Sequence, residues 1–467
     1  MEDLRGLLAA TAAADFLDGL DARPVGARAT LEQLRASLDL ELDDDPREAG
    51  EVLDHLVAAA DPGVVAMASG RYFGFVIGSA LPAALAADWM TSAWDQNVGI
   101  YAAGPAASVV EAVTGRWLKE LLGLPPTASF ALVTGCQMAH FTALSAARLH
   151  VLEQVGWDVN EAGLAGAPPI RVVVGVDRHV TVDRALRYLG IGRQAIVTVE
   201  TDAGGRIVPG ALAGTLSRSG AGPTIVCVQA GEVNTGAVDP LREACEIGHA
   251  AGAWVHVDGA FGMWAAASPT LRPLVDGIEL ADSWATDAHK WLNVPYDCGL
   301  VFCAHPASHR RSMSVHADYL VHADEEAGRR DEVDWTPEFS RRARGFAVYA
   351  ALRSLGRRGV AALVDAGCAH ARRLASGLAE MDGVEIVNDV CLNQVLVRFG
   401  DDDTRTQAVI RGVQEGGECW MSGTTWRGRA AMRISVVNWR TSDEDVERTL
   451  TAIARVLDQV ARVGDPS

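Results

Sequence analysis

Seven short apolar runs, at 130–133, 171–176, 195–199, 224–228, 254–257, 283–286 and 300–303, alternate for the most part with stretches rich in alanine and leucine. Such runs have no polar face, so both sides of the sheet they build must be covered, and helices between successive strands supply the cover. The pattern predicts an α/β fold around a mostly parallel seven-stranded sheet. A parallel return needs a crossover of about a dozen residues or more, usually helical. The link 287–299 is interrupted by Pro295 and Gly299 and holds no full helix. The last strand is therefore expected to run antiparallel to the others.

The flanks read as smaller pieces. In residues 1–65, Leu4, Leu7 and Leu8, then Phe16, Leu17 and Leu20, recur at helical spacing, and Thr30 with Gln33 has the form of a capping box. Nothing there builds a core of its own, so the segment is expected to pack against another surface. Residues 66–345 form the expected large domain. Residues 346–467 form a small C-terminal α/β domain, with strands at 384–387, 394–399 and 431–436 and helices from Thr404 and from Ser442. Asp443, Glu444 and Asp445 suit the positive start of that last helix. Between 305 and 338 the chain is polar and carries His305, His309, His316 and His322. That stretch reads as a solvated loop, and no metal site is expected.

Charge and cysteine usage exclude some functions. A net charge of −19 opposes binding to nucleic acid or to anionic membranes. No uninterrupted apolar stretch is long enough to span a bilayer. The start of the chain lacks the basic-then-apolar layout of a secretory signal. Eight cysteines form no C-x-x-C pair, which fits reduced thiols in a cytoplasmic protein.

Chemistry concentrates at strand ends, where ligands bind in sheets of this kind. Lys290 follows the sixth run beside His289 and Trp291. A lysine buried there would lose its charge and become a usable amine nucleophile. Asp258 ends the fifth run, where a carboxylate is costly unless a cation neutralises it. Thr134-Gly135-Cys136-Gln137 lies between the first strand and a helix, and free N–H groups at a helix start bind anions. His179 follows the second strand, placed to lie over a flat ligand. An amine, an acid and an anion seat together suit pyridoxal phosphate, with its aldehyde, ring nitrogen and phosphate.

The runs His256-Val-Asp-Gly-Ala and Asp287-Ala-His-Lys-Trp resemble the pyridoxal-phosphate-dependent group II amino acid decarboxylases, which include the glutamate and aromatic amino acid decarboxylases. The similarity extends from about Tyr72 to the C-terminus, through Pro82-Ala-Ala-Leu-Ala-Ala-Asp-Trp89, Thr235-Gly-Ala-Val-Asp239, Ser340-Arg-Arg-Ala-Arg344 and Met432-Arg-Ile-Ser435. It implies the aspartate aminotransferase-like fold, type I, with 66–345 binding the cofactor. It also implies a homodimer with shared active sites, and 1–65 at the dimer interface. By the same resemblance Lys290 carries the cofactor, Asp258 meets its ring nitrogen, and His179 stacks on the ring with Ala260 on the other face. Gly135, Cys136, Gln137 and His289 then hold the phosphate.

For the substrate, the resemblance points to Phe75 and Val76 as an apolar or aromatic wall, and to Arg433 for a carboxylate. Glu232 and Asn234 stand where the family more often has small hydroxyl residues. Glu332 stands where animal members place a proton-donating tyrosine on a mobile loop, and Tyr319 is out of register with it. The implied activity is decarboxylation of an L-amino acid, aromatic or otherwise apolar, to amine and carbon dioxide. The Glu332 departure leaves open an aldehyde product by decarboxylative oxidative deamination, or carbon–carbon lyase chemistry. A binding protein that keeps the scaffold without catalysis is the alternative of another class.

Overall fold

The computed structural model describes residues 9–218, 222–315 and 329–464. The chain forms two compact units, Gly78–Arg372 with Asn388–Val395, and Met1–Ile77 with Arg373–Val387 and Leu396–Ser467. Among the described residues no helix is long and apolar enough to cross a membrane.

The larger unit is built on β1 (Ser129–Val133), β2 (Arg171–Gly175), β3 (Ile196–Val199), β4 (Thr224–Gln229), β5 (Trp254–Asp258), β6 (Ser283–Asp287) and β7 (Gly299–Cys303). They lie in the order β1-β7-β6-β5-β4-β2-β3. The pairs β2–β3, β2–β4, β4–β5 and β5–β6 are parallel, and β7 is antiparallel to both β6 and β1. This is the mostly parallel sheet expected, with its last strand reversed. β1, β4, β5, β6 and β7 are buried along their whole lengths, because helices such as Cys136–Glu153 cover the sheet. Leu144, Leu149, Val172, Val174, Leu186 and Ile225 form part of that core. The C-terminal ends of β1, β5 and β6 therefore lie along one sheet edge, where β7 starts.

Gly299 shows why that edge closes tightly. It pairs with both Val133 and Asp287, and a Cβ there would stand 2.4 Å from the Gly135 carbonyl carbon. Only glycine permits so close an approach.

In the smaller unit, β8 (Val384–Ile386), β9 (Gln394–Phe399), β10 (Ser422–Trp426) and β11 (Arg429–Ser435) form a sheet in the order β10-β11-β9-β8. The helix Asp443–Gly464 is closed by Ser442 and Asp445, each side chain meeting the other's backbone N–H at 3.2 and 2.9 Å. Thr30 and Gln33 make the expected capping box for the helix Leu31–Leu38. Leu31 and Leu38 on that helix remain exposed.

The units do not follow the bounds 65/66 and 345/346. Residues 71–73 pair with Trp420 and Ser435 through Phe73 N–H, Trp420 N–H and Ser435 N–H, which ties them to the smaller unit. Buried Arg71 reinforces this, with Nη1 3.3 Å from Asp445 Oδ1 and Nε donating to the Glu418 carbonyl at 2.8 Å. Phe75 and Val76 are also in this unit, with φ of 54° and 59°. Phe75 leans on Trp420 at 5.3 Å between ring centroids. At the other boundary the helix Gly345–Ala379 continues past 346, turning at Gly356, where φ is 61°.

The 305–338 stretch is more ordered than expected over its described part. Pro306–Met313 is helical. His305 Nε2 meets Asp282 Oδ1 at 2.8 Å. His309 is fully buried, its Nδ1 2.9 Å from the Ser129 hydroxyl and its Nε2 2.9 Å from the Trp335 carbonyl. His316, His322 and Tyr319 lie outside the described residues, as do Leu4, Leu7 and Leu8.

Candidate active site

The site begins where β1 hands over to the helix Cys136–Glu153. Gly135, in extended conformation, leaves the first helical N–H groups open toward the sheet edge. One of them, Cys136 N–H, donates to Asp287 Oδ1 at 2.6 Å. Asp287 ends β6, and its other oxygen lies 3.1 Å from Lys290 Nζ. His289 Nε2 is 3.5 Å from the Asp287 carboxylate, while its Nδ1 accepts the Cys298 N–H at 3.0 Å. The Tyr296 ring lies 4.3 Å from the His289 ring. Gly78 packs on this loop so closely that a Cβ would stand 2.1 Å from the Lys290 carbonyl oxygen.

Burial opposes the charge on Lys290, but the Asp287 and Asp258 carboxylates outweigh it and hold the amine above its ordinary pKa. The expectation of a lysine discharged by burial is corrected here. In the cofactor-free chain Asp287 keeps Nζ as an ammonium. His289 is shifted the other way, its pKa lowered chiefly by burial and further by Lys290.

Asp258, the last residue of β5, accepts the Ala260 N–H on Oδ1 at 3.2 Å and faces His140 Nε2 through Oδ2 at 3.5 Å. Burial would raise its pKa, yet His140, His179 and Lys290 together hold the carboxyl far below the usual range. Cys136 Sγ, His140 Nε2 and an Asp258 oxygen lie within 4.8 Å of one another. Burial, Asp287 and Asp258 push the Cys136 thiol well above its ordinary pKa, and its Sγ lies 3.4 Å from His140 Nε2.

His179 caps the helix Val180–Tyr188, its Nδ1 accepting the Thr181 N–H at 3.4 Å. The Thr181 hydroxyl lies 2.7 Å from the same nitrogen. Both polar atoms of the Gln137 amide are buried with no hydrogen-bond partner among the described residues. Buried amides are seldom left so, because an unmade hydrogen bond costs about 1–3 kcal/mol. An amide without a partner beside a helix start fits an anionic group of a ligand. The donors, the amine and the buried acid are the set that pyridoxal phosphate requires.

Other candidates serve different ends. Glu232 is buried and accepts the Asn234 and Thr235 N–H groups, each at 2.8 Å, while the Asn234 amide donates to its second oxygen at 2.9 Å. These two residues close the 232–236 turn on each other. Glu332 is fully buried, 2.8 Å from Arg330 Nε and 3.3 Å from the Ser108 hydroxyl, with its pKa raised by burial. Within this chain its carboxylate is held by Arg330 and Ser108. Phe75, Val76 and Arg433, the last buried in β11, belong to the smaller unit.

Asp287, His140 and His256 escaped the reading of the sequence. Strand alternation places His256 on the same face as Asp258, and a spacing of four places His140 on the same helix face as Cys136. Those periods could have flagged both. His256 and His309 are each held down to about 3, mainly by burial. Unfolded histidine titrates near 6.5, so between about pH 6.5 and 3 the unfolded chain binds the extra protons. Their contribution is complete above pH 6.5 and is lost as pH falls. The midpoint of thermal unfolding of the cofactor-free protein should drop steadily below pH 6.5, and less steeply in His309→Gln. An equal slope in that variant rejects the assignment for His309.

Comparison with known proteins accords with this geometry. The pyridoxal-dependent decarboxylase conserved domain matches residues 32–399. An aromatic-L-amino-acid decarboxylase of Bacillus atrophaeus is 27% identical over 96% of this chain and 93% of its own length. A phenylacetaldehyde synthase of Arabidopsis thaliana is 26% identical over 91% and 89%. The crystal structure of Oryza sativa TDC with PLP and tryptamine matches with a TM-score of 0.91 at 22% identity, covering 98% of this chain and 99% of that one. The fold is that of type I pyridoxal phosphate enzymes, and with the conserved domain spanning most of its length, this chain belongs to the pyridoxal-dependent decarboxylase family as a pyridoxal-phosphate-dependent amino acid decarboxylase.

Proposed function

We propose that the chain decarboxylates an L-amino acid with an aromatic or other apolar side chain, releasing the amine and carbon dioxide. The observation that carries the site assignment is the convergence of Lys290, Asp258 and the partnerless Gln137 amide at one sheet edge. When bound, pyridoxal phosphate supplies a protonated pyridine ring that takes up the electron pair left as a bond to Cα breaks. Lys290 is the amine that holds the cofactor's aldehyde. Before Nζ can act as a nucleophile it must shed a proton, and Asp287 at 3.1 Å is an acceptor within reach. Asp258 would hold a proton on the ring nitrogen. His179 would cover one ring face and Ala260 the other. Gln137, His289 and the Gly135–Cys136 turn would hold the phosphate. The aromatic preference is supported by the similarity to the Bacillus enzyme.

A second reading, aldehyde in place of amine, draws support from the similarity to the Arabidopsis phenylacetaldehyde synthase. Incubation with each proteinogenic amino acid, mass spectrometry of the products and an oxygen electrode separate the two. Stoichiometric amine without oxygen uptake is expected, from an aromatic amino acid above all. Aldehyde with oxygen consumption establishes the second reading, and absence of turnover with bound cofactor rejects both.

In this reading two copies of the chain form the working enzyme. The exposed Leu31, Leu38 and Leu56 support an interface along the N-terminal helices. Sedimentation at twice the chain mass is expected, and a monomer at working concentrations refutes it.

A further inference from the structure

Behind Asp258 runs a buried chain of hydrogen bonds that the proposed chemistry does not use. Trp254 Nε1 lies 2.9 Å from the Ser283 hydroxyl, which is 2.9 Å from His256 Nδ1. His256 Nε2 is 2.9 Å from His140 Nδ1, and His140 Nε2 faces Asp258 Oδ2 at 3.5 Å and Cys136 Sγ at 3.4 Å. Ser283, His256 and His140 are fully buried and Trp254 nearly so, so water cannot substitute for a missing partner.

The chain has one consistent direction. An indole N–H can only donate, so Ser283 Oγ accepts from Trp254 and keeps its own hydrogen available for His256 Nδ1. A neutral imidazole that accepts on Nδ1 carries its hydrogen on Nε2. His256 therefore donates to His140 Nδ1, and His140 presents its own Nε2–H to Asp258. Running the chain backward with neutral rings would turn a bare His140 nitrogen toward a carboxylate. Burial keeps His256 neutral, as this direction requires. The titratable groups facing Asp258 are His140, Cys136, His179 and Lys290, and those facing His140 are Cys136, Asp258 and His256.

We infer that His140 and His256 are positioning residues, whose directed N–H keeps Asp258 a carboxylate so that the proton it shares with the cofactor resides on the ring nitrogen. The inference rests on the placement of Asp258 opposite that nitrogen. Without the donor, a desolvated carboxylate would draw the shared proton to itself. Loss of one charge-assisted hydrogen bond should move that proton equilibrium about tenfold toward the carboxyl, about 1.4 kcal/mol.

The test is 15N NMR of protein loaded with pyridoxal phosphate labelled at the ring nitrogen. His140→Gln keeps an acceptor for His256 and a donor for Asp258, whereas His140→Leu keeps neither. Wild type and His140→Gln should show a protonated-type ring nitrogen, and His140→Leu a signal displaced toward neutral pyridine. An undisplaced signal in His140→Leu overturns the inference, provided that Asp258→Asn does displace it. If Asp258→Asn leaves the signal in place as well, the placement of Asp258 fails, and the inference with it. Should His140→Leu not fold, His256→Phe carries the test one link further back, where His140 Nδ1 loses its donor. The same displacement at smaller amplitude supports the relay, and an unmoved signal overturns it.

Discussion

Replacing Lys290 with alanine should give a folded protein that binds pyridoxal phosphate without a covalent link and turns over at least about 10^4-fold more slowly, as when a nucleophile is deleted. Borohydride reduction followed by peptide mapping is the check. The wild-type chain should carry the cofactor's mass on Lys290, and Lys290→Ala should carry none. A modified peptide elsewhere would show that another amine serves. The fold should survive because Asp287, on losing its cation, keeps the Cys136 N–H at 2.6 Å. The stability loss should stay near 1–3 kcal/mol, the cost of one missing partner at a buried charged group. Lys290→Arg separates the two roles. A guanidinium stays charged and can face Asp287, but it cannot shed its proton to become a nucleophile. That variant should regain stability and recover no turnover.

The parts of this architecture that could be read from the sequence were those set by local pattern. Apolar runs marked all seven strands of the large sheet, and the short, Pro- and Gly-interrupted link before Gly299 foretold the reversal of β7. β10 went unseen because its Ser422, Gly423, Thr424 and Thr425 carry no apolar alternation, and its partner β11 lies across a two-residue turn. The helix Pro306–Met313 was hidden by polar composition, although His309 within it is fully buried between Ser129 and Trp335. Lys290, Asp258 and His179 stood out because each ends or follows an apolar strand. Asp287 sat in the same tetrad as Lys290 but was passed over, since its partners, Cys136 N–H and Nζ, come together only when β1 and β6 flank β7. Glu332 shows the opposite case. Its register beside the Arg341-Arg342 pair was visible, but its enclosure with Arg330 and Ser108 depends on tertiary packing.

Asp258 offers the second large effect, and two substitutions there should part in an informative way. Asp258→Ala removes the acceptor for the Ala260 N–H and for His140, stranding two buried donors and leaving Lys290 and His179 without a countercharge. Breaking a buried charge pair from one side costs about 3–5 kcal/mol, so the thermal midpoint should drop. Losing the charge that would hold a proton on the ring nitrogen should lower turnover about 10^2- to 10^3-fold, about 2.7–4.1 kcal/mol. Asp258→Asn keeps a carbonyl oxygen for those donors, so it should retain most of the stability. It lacks the negative charge that favours a proton on the ring nitrogen, so its turnover should fall nearly as far as in the alanine variant. Steady-state kinetics beside thermal unfolding decide the matter. If Asp258→Asn loses stability but keeps turnover, the carboxylate is a structural anchor for His140 and Ala260, and the ring nitrogen takes its proton from another group. If it keeps stability and loses turnover, the charge itself is the catalytic requirement, and the histidines behind it exist to keep that charge in place.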